Sequence, residues 1–215
     1  MLTIPMEITG IILAGGKSRR LDYKNKALLQ IGGKSIVERV IDAISGVTDK
    51  FIMITNSPDE YEYLELPMFG DIIAGTGPLG GIYSGLARSE THNNIVVACD
   101  MPFIQPRLFE LLINHIGDND IVIPVTPDGY HPLCAIYSKN CIEPSESLIR
   151  ASQLKVTNLF QYVKVNKMIF NEEHPYYAQD MLFNVNTHED YAKATQLWKT
   201  KEGDCGLPND QSNGF

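Results

Sequence analysis

Apolar positions run along the chain in two rhythms. Continuous runs at Ile8-Thr9-Gly10-Ile11-Ile12-Leu13, Phe51-Ile52-Met53-Ile54-Thr55 and Ile95-Val96-Val97-Ala98-Cys99 suit central parallel strands, which are buried on both faces. Between them the period lengthens to three and four residues. Ile36, Val37, Val40, Ile41 and Ile44 form one stripe after Ser35, a predicted N-cap, and Gly46 is placed to close that helix. Leu108, Leu111, Leu112 and Ile116 make a second stripe behind Pro106, which suits a first helical position. Ser57-Pro58 opens a short helix, Leu79 to Leu86 is predicted helical despite its glycines, and Ser145 to Ala151 forms another short helix. Asp120 to Val125 and Pro132 to Tyr137 read as strands joined through an Asp128-Gly129 turn. Tyr162 to Asn184 carries the weakest pattern, with Val163 and Val165 suggesting a strand. Thr187 and Asp190 resemble a capping pair for a last helix with Tyr191, Ala194 and Trp198 on one face.

This alternation predicts an α/β fold, three-layered and Rossmann-like, with a mainly parallel sheet covered by helices on both faces. One domain over residues 1–199 is expected, followed by a disordered tail over 200–215. The 215 residues carry 18 Lys and Arg against 26 Asp and Glu, a net charge of -8. Such a field opposes nonspecific binding to nucleic acid or acidic membrane surfaces, so an anionic ligand requires a local basic site. No apolar run reaches the roughly 18 to 20 residues of a membrane span, and the start lacks a signal-peptide pattern. A cytoplasmic location is expected. Cys99, Cys134, Cys141 and Cys205 show neither Cys-x-x-Cys nor zinc-site spacing.

The candidate chemistry begins where the first strand ends. Leu13-Ala14-Gly15-Gly16-Lys17-Ser18-Arg19-Arg20 stands where an open α/β sheet offers its ligand crevice. It is not a phosphate-binding loop of the Gly-x-x-x-x-Gly-Lys-Ser type. The required first Gly is Ile11 there, and Leu28 for the second Gly-Lys-Ser at 33 to 35. From Gly16 to Lys26 five basic residues, Lys17, Arg19, Arg20, Lys24 and Lys26, face one acid, Asp22. This reversal of charge inside an acidic protein suits a triphosphate, which Arg grips in a fork and Lys meets as a point charge. Asp100 ends a buried strand and is suited to hold Mg²⁺, a hard cation that takes one or two carboxylates and leaves room for phosphates. The glycine-rich run Gly75 to Gly81 suits backbone packed against a flat base or a sugar. An extended Asn184-Val185-Asn186 presents two amides on one side. Among the histidines, His131 is the one placed to reach a second substrate.

Leu13-Ala-Gly-Gly-Lys-Ser-Arg-Arg with Lys26-Ala-Leu-Leu, Gly77-Pro-Leu-Gly-Gly-Ile, Ala98-Cys-Asp-Met-Pro-Phe and Asn184-Val-Asn-Thr together resemble the molybdenum cofactor guanylyltransferases, in order from Ile8 to Trp198. The resemblance implies a nucleotide-diphospho-sugar transferase fold. It also implies transfer of GMP from GTP to molybdenum-molybdopterin, with Mg²⁺ as cofactor and release of pyrophosphate. By motif, Leu13, Ala14, Gly15, Lys26, Asn56, Asp71 and Asp100 bind nucleotide, Asp100 binds the metal, and Arg20, Lys26 and Asp100 act in catalysis. Gly80, Gly81, Asn184 and Asn186 are expected on the acceptor side. Transient contact with molybdopterin-synthesis proteins or molybdoenzymes is implied as well. The alternatives are a related enzyme using CTP or a sugar-phosphate acceptor, and a non-catalytic nucleotide-binding delivery module. Two departures stand out: Leu21-Asp22 replaces the family's Met-Gly, and Asn25 replaces an Asp before Lys26, removing a charge available to orient the lysine.

Overall fold

The computed structural model describes residues 7–15 and 25–204, the last three by their backbone. Lys17, Arg19, Arg20, Asp22 and Lys24 lie outside the described residues, as do Cys205 and the rest of the tail from 205 on. Strand β1 (Ile8–Leu13) is buried throughout and is flanked on both sides by parallel partners. A two-residue hairpin, β2 (Gln30–Ile31) and β3 (Lys34–Ser35), leads into helix α1 (Ile36–Ser45). Ser35 caps that helix in a reciprocal box with Glu38: the Ser35 hydroxyl accepts from the Glu38 N–H, and the Glu38 carboxylate accepts from the Ser35 N–H.

There follow β4 (Phe51–Ile54), β5 (Met68–Phe69), α2 (Gly77–Arg88), β6 (Asn93–Ala98), α3 (Pro106–Asn114), β7 (Ile121–Thr126), β8 (Gly129–Tyr130), β9 (Cys134–Ser138), α4 (Ile142–Arg150), β10 (Val165–Ile169) and α5 (His188–Asp204). The main sheet runs β10-β7-β9-β6-β1-β4-β5, with β8 paired to β7. Within that path only β9 runs against its neighbours, so the sheet is mixed but mostly parallel.

Alternation along the strands builds two cores. Ile8 and Ile12 of β1, with Ile95 and Val97 of β6, join Val37, Val40, Leu108 and Phe109 beneath α1 and α3. Ile11, Leu13 and Val96 point the other way, toward Leu79, Ile82, Leu86, Leu148 and Ile149 of α2 and α4. The result is helix, sheet, helix, the three layers that the pattern predicts. Helix α2 begins at Gly77, two residues earlier than its leucines suggest, and its glycines have a packing role. A Cβ on Gly85 would overlap Ile11 Cγ2, and one on Gly81 would sit 3.4 Å from a Leu13 methyl.

A third cluster, Ile31, Ile36, Phe103, Val185 and Ala194, lies under α5 with Tyr191 and Trp198 packed against it. Here the sequence expectation needs correcting. The final helix does not stop at Lys199 but continues to Asp204. Lys201 supplies the physical reason, with its ammonium 2.8 Å from an Asp180 carboxylate oxygen and over the Phe103 ring. Among the described residues, no helix is long and apolar enough to cross a membrane.

Candidate active site

Parallel registration assembles the site. Leu13 is opposite Ile54 on one side and Ala98 on the other. The residues that leave these strands, Ala14-Gly15, Thr55-Asn56 and Cys99-Asp100, therefore stand side by side along the carboxyl rim. Ala14 is fixed by its N–H to the Ile54 carbonyl (2.9 Å), and Cys99 by its N–H to the Leu13 carbonyl (3.2 Å). The next strand outward, β5, brings Asp71 beside Asn56. The Asn56 amide donates to Asp71 Oδ2 at 2.8 Å, and its Oδ1 accepts the Asp71 N–H at 3.2 Å.

A cavity of about 260 Å³ opens here, lined by Leu13, Gly15, Asn56, Asp71, Gly77, Pro78, Gly81 and Asp100. Its walls are mostly apolar, with Asn56 and Asp71 following β4 and β5 on one side of β1 and Asp100 following β6 on the other, so polar groups flank an apolar middle that suits a base. Gly77, with φ +60°, turns the chain into α2 beside it. A second recess of about 340 Å³ continues past Pro78 and Leu133 and carries Tyr130 and Lys155.

Asp100 has an uneven environment. Its Oδ2 lies 3.7 Å from Lys26 Nζ, while its Oδ1 is buried with no hydrogen-bond partner. Burial raises the carboxyl above its usual range, opposed by the Lys26 charge and backbone hydrogen bonding. An uncompensated, partly desolvated carboxylate oxygen at a cavity wall is suited to bind a hard cation. Lys26 also donates to Asn186 Oδ1 at 2.8 Å. The Val185 N–H in turn bonds the Asp100 carbonyl at 2.9 Å, so the chain after β10 is tied directly to the loop after β6. Asp190 accepts the Asn186 and Thr187 N–H groups, and Thr187 Oγ1 accepts the Asp190 N–H. The capping pair read from sequence thus also holds Asn186 in place.

The structure gathers Leu13, Ala14, Gly15, Lys26, Asn56, Asp71, Asp100, Gly81 and Asn186 at one rim. Gly80 turns away, buried against Thr76, because adjacent helical residues point about 100° apart. Asn184 is half-buried two residues before Asn186. His131 bonds Thr126 Oγ1 at 2.7 Å in the segment before β9, and burial lowers its pKa. Arg20 lies outside the described residues. Burial pushes the Cys99 thiol up to about 12, in keeping with a packed side chain rather than a nucleophile. Missed from sequence were Glu60 and Tyr61, whose side chains reach Asn25 from 35 and 36 residues away; no local pattern signals that contact.

Residues 10–164 match the family model for the MobA-like NTP transferase domain. A protein of Pelotomaculum thermopropionicum named probable molybdenum cofactor guanylyltransferase is 37% identical over 192 residues, covering 88% of this chain and 92% of that protein. The molybdenum cofactor guanylyltransferase of Desulfosudis oleivorans is 32% identical over 190 residues, 87% of this chain and 94% of its own. Among solved structures, molybdopterin-guanine dinucleotide biosynthesis protein A from Archaeoglobus fulgidus superposes with a TM-score of 0.75 at 24% identity, covering 89% of this chain and 99% of the other. That likeness establishes the shared fold. With the family model and the curated relatives spanning most of its length, the chain belongs to the MobA-like NTP transferase family and is an enzyme of the nucleotidyltransferase class.

Proposed function

We propose that the chain transfers GMP from GTP to the terminal phosphate of molybdenum-bound molybdopterin. The observation that carries this reading is the Lys26–Asp100 pair, with Asp100 in the cavity wall and one of its oxygens left unpartnered. The names of the curated relatives support the choice of base and acceptor. In the reaction an acceptor phosphate oxygen forms a bond to the α-phosphorus of GTP, and the bond from that phosphorus to the bridging oxygen breaks. Pyrophosphate leaves with the electron pair. No protein nucleophile is required.

Both substrates are polyanions, so the chain must supply positive charge that is already in place. Lys26 does so, its ammonium held between Asn186 Oδ1 and Asp100. Asp100 is the residue that fits Mg²⁺, which when bound would neutralise phosphate charge as a Lewis acid. Gly77 and Pro78 line the cavity where the base is assigned, and the paired Asn56 and Asp71 side chains close it on the β4 and β5 side. The acceptor is assigned to the neighbouring side of the rim, toward Asn184, Asn186, Gly81 and the recess bearing Lys155. Arg20, from the basic loop, is assigned to the phosphates.

Pyrophosphate release measured with each of four NTPs, with and without molybdenum-loaded molybdopterin, tests the proposal. Release only with GTP, and only with the acceptor, is expected. Preference for CTP would reassign the base, turnover with a sugar phosphate would reassign the acceptor, and tight GTP binding without turnover would make the chain a delivery module.

A further inference from the structure

Lys26 sits on a single 3₁₀ turn, Lys26–Leu28, at the edge of the fold. A turn so short cannot hold a long cationic side chain against two polyanionic substrates unless something outside the turn fixes it. Asn186 and Asp100 meet the ammonium, while the backbone of the turn is fixed by Asn25. Asn25 Oδ1 accepts the Ala27 N–H at 3.0 Å, capping the turn from within. Its amide nitrogen, on the other end, donates to Glu60 Oε2 at 2.5 Å and to the Tyr61 hydroxyl at 2.8 Å. Tyr61 is 2% exposed and belongs to the main core, so the second anchor is rigid.

We propose that Asn25 is the positioning residue for Lys26, a two-ended amide strut that locks the lysine-bearing turn to the Glu60-Tyr61 segment. The proposal rests on the transfer reaction assigned above. Its chemistry is specific to an amide. One end must accept and the other must donate. A carboxylate at position 25 still caps Ala27 and still accepts from Tyr61, but it sets a second negative charge against Glu60, where Asn gives a donor. The amide at position 25 is thereby matched to the acid at position 60.

The test is a cycle of variants in the full chain: Asn25→Ala, Asn25→Asp, and Asn25→Asp with Glu60→Gln, each made with Lys26 intact and with Lys26→Met. With Lys26 intact, Asn25→Asp is expected to lower kcat for guanine dinucleotide formation at least tenfold, with a smaller change in KM for GTP. Adding Glu60→Gln is expected to restore most of the loss, because the new amide donates to the carboxylate introduced at position 25. In the Lys26→Met background the Asn25 variants are expected to agree within about twofold, since the strut then has nothing to place. Equal losses in both backgrounds would show a merely structural residue and overturn the proposal, as would full activity of Asn25→Ala.

A second measurement does not depend on turnover. Competitive acylation of lysines, read by mass spectrometry, is expected to show Lys26 at least threefold more reactive relative to the exposed Lys34 in Asn25→Asp than in the parent. Unchanged labelling would overturn the strut. Failure of the parent to form guanine dinucleotide would overturn the transfer reading alone, and the labelling result would then decide the strut.

Discussion

Replacing Asp100 with Asn preserves the shape of the side chain and removes its charge, which separates what the carboxylate does for function from what it costs the fold. At an effective dielectric of about 20, unit charges 3.7 Å apart attract by ~4–5 kcal/mol. Burial nonetheless leaves the Asp100 carboxyl raised, so desolvation of the ion outweighs its attraction to Lys26. At pH 7 to 8 the carboxylate is ionised and the folded state bears that cost, whereas below the usual carboxylate range the group is neutral in both states and the cost vanishes. Asp100→Asn is therefore expected to be more stable than the parent at pH 8. Its Tm is expected to lie above the parent's at that pH. The advantage is expected to shrink as pH falls toward 4. Saturating magnesium and GTP should reverse the order. A ligand at 100 times its Kd stabilises the parent by about 2.7 kcal/mol, and the variant is expected to lose most of that gain together with turnover, by ~10³-fold or about 4 kcal/mol. Thermal denaturation at several pH values, with and without magnesium GTP, and a pyrophosphate assay give the readings. An apo variant less stable than the parent at pH 8, or one that keeps the full magnesium-GTP shift, would refute the reasoning.

Two further outcomes follow from packing. Gly85→Ala forces a methyl into Ile11 and is expected to cost ~1–3 kcal/mol. Gly81→Ala meets Leu13 at ordinary contact distance and gains helix propensity, so its Tm is expected to stay near the parent's; urea denaturation of the two variants checks the order. Burial raises the thiols of Cys99 and Cys141 up to about 12 and that of Cys134 higher still. Peptide mapping after iodoacetamide treatment should find the fully buried Cys134 and Cys141 unmodified in native protein and modified in urea; rapid alkylation of either would contradict their packing.

How far the sequence reached depended on whether a residue's partner was close along the chain. β1 was legible because a strand buried on both faces needs an unbroken apolar run, and the Ser35 cap because its partner is three residues away. The two-residue strands β2, β3, β5 and β8 escaped because so short a segment has no period. The glycines of α2 argued against a helix by propensity, yet Gly81 and Gly85 are there so that the helix can lie close on β1. In the site, Asp100 and Lys26 were legible from charge and position, and Asn186 from its motif. Their contacts, such as Lys26 with Asn186 across 160 residues, were not. Asn25 is the plainest case. Nothing near it in sequence signals a partner for its amide, and only the fold brings Glu60 and Tyr61 against it.

The reversed direction of β9 has a consequence for how such a protein can diversify. In a wholly parallel sheet, only segments that leave strands reach the carboxyl rim. With β9 inverted, the segment that enters it, from Thr126 through His131 to Leu133, also arrives there, and Leu133 receives the Ala98 N–H at 2.8 Å. The rim is thereby split into two territories. The β1, β4 and β5 ends shape the proposed donor half, while β7, β9 and β10 frame the proposed acceptor half. One territory can be rewritten by insertion or exchange while the other keeps its lettering, so a lineage can adopt a new acceptor without surrendering its base.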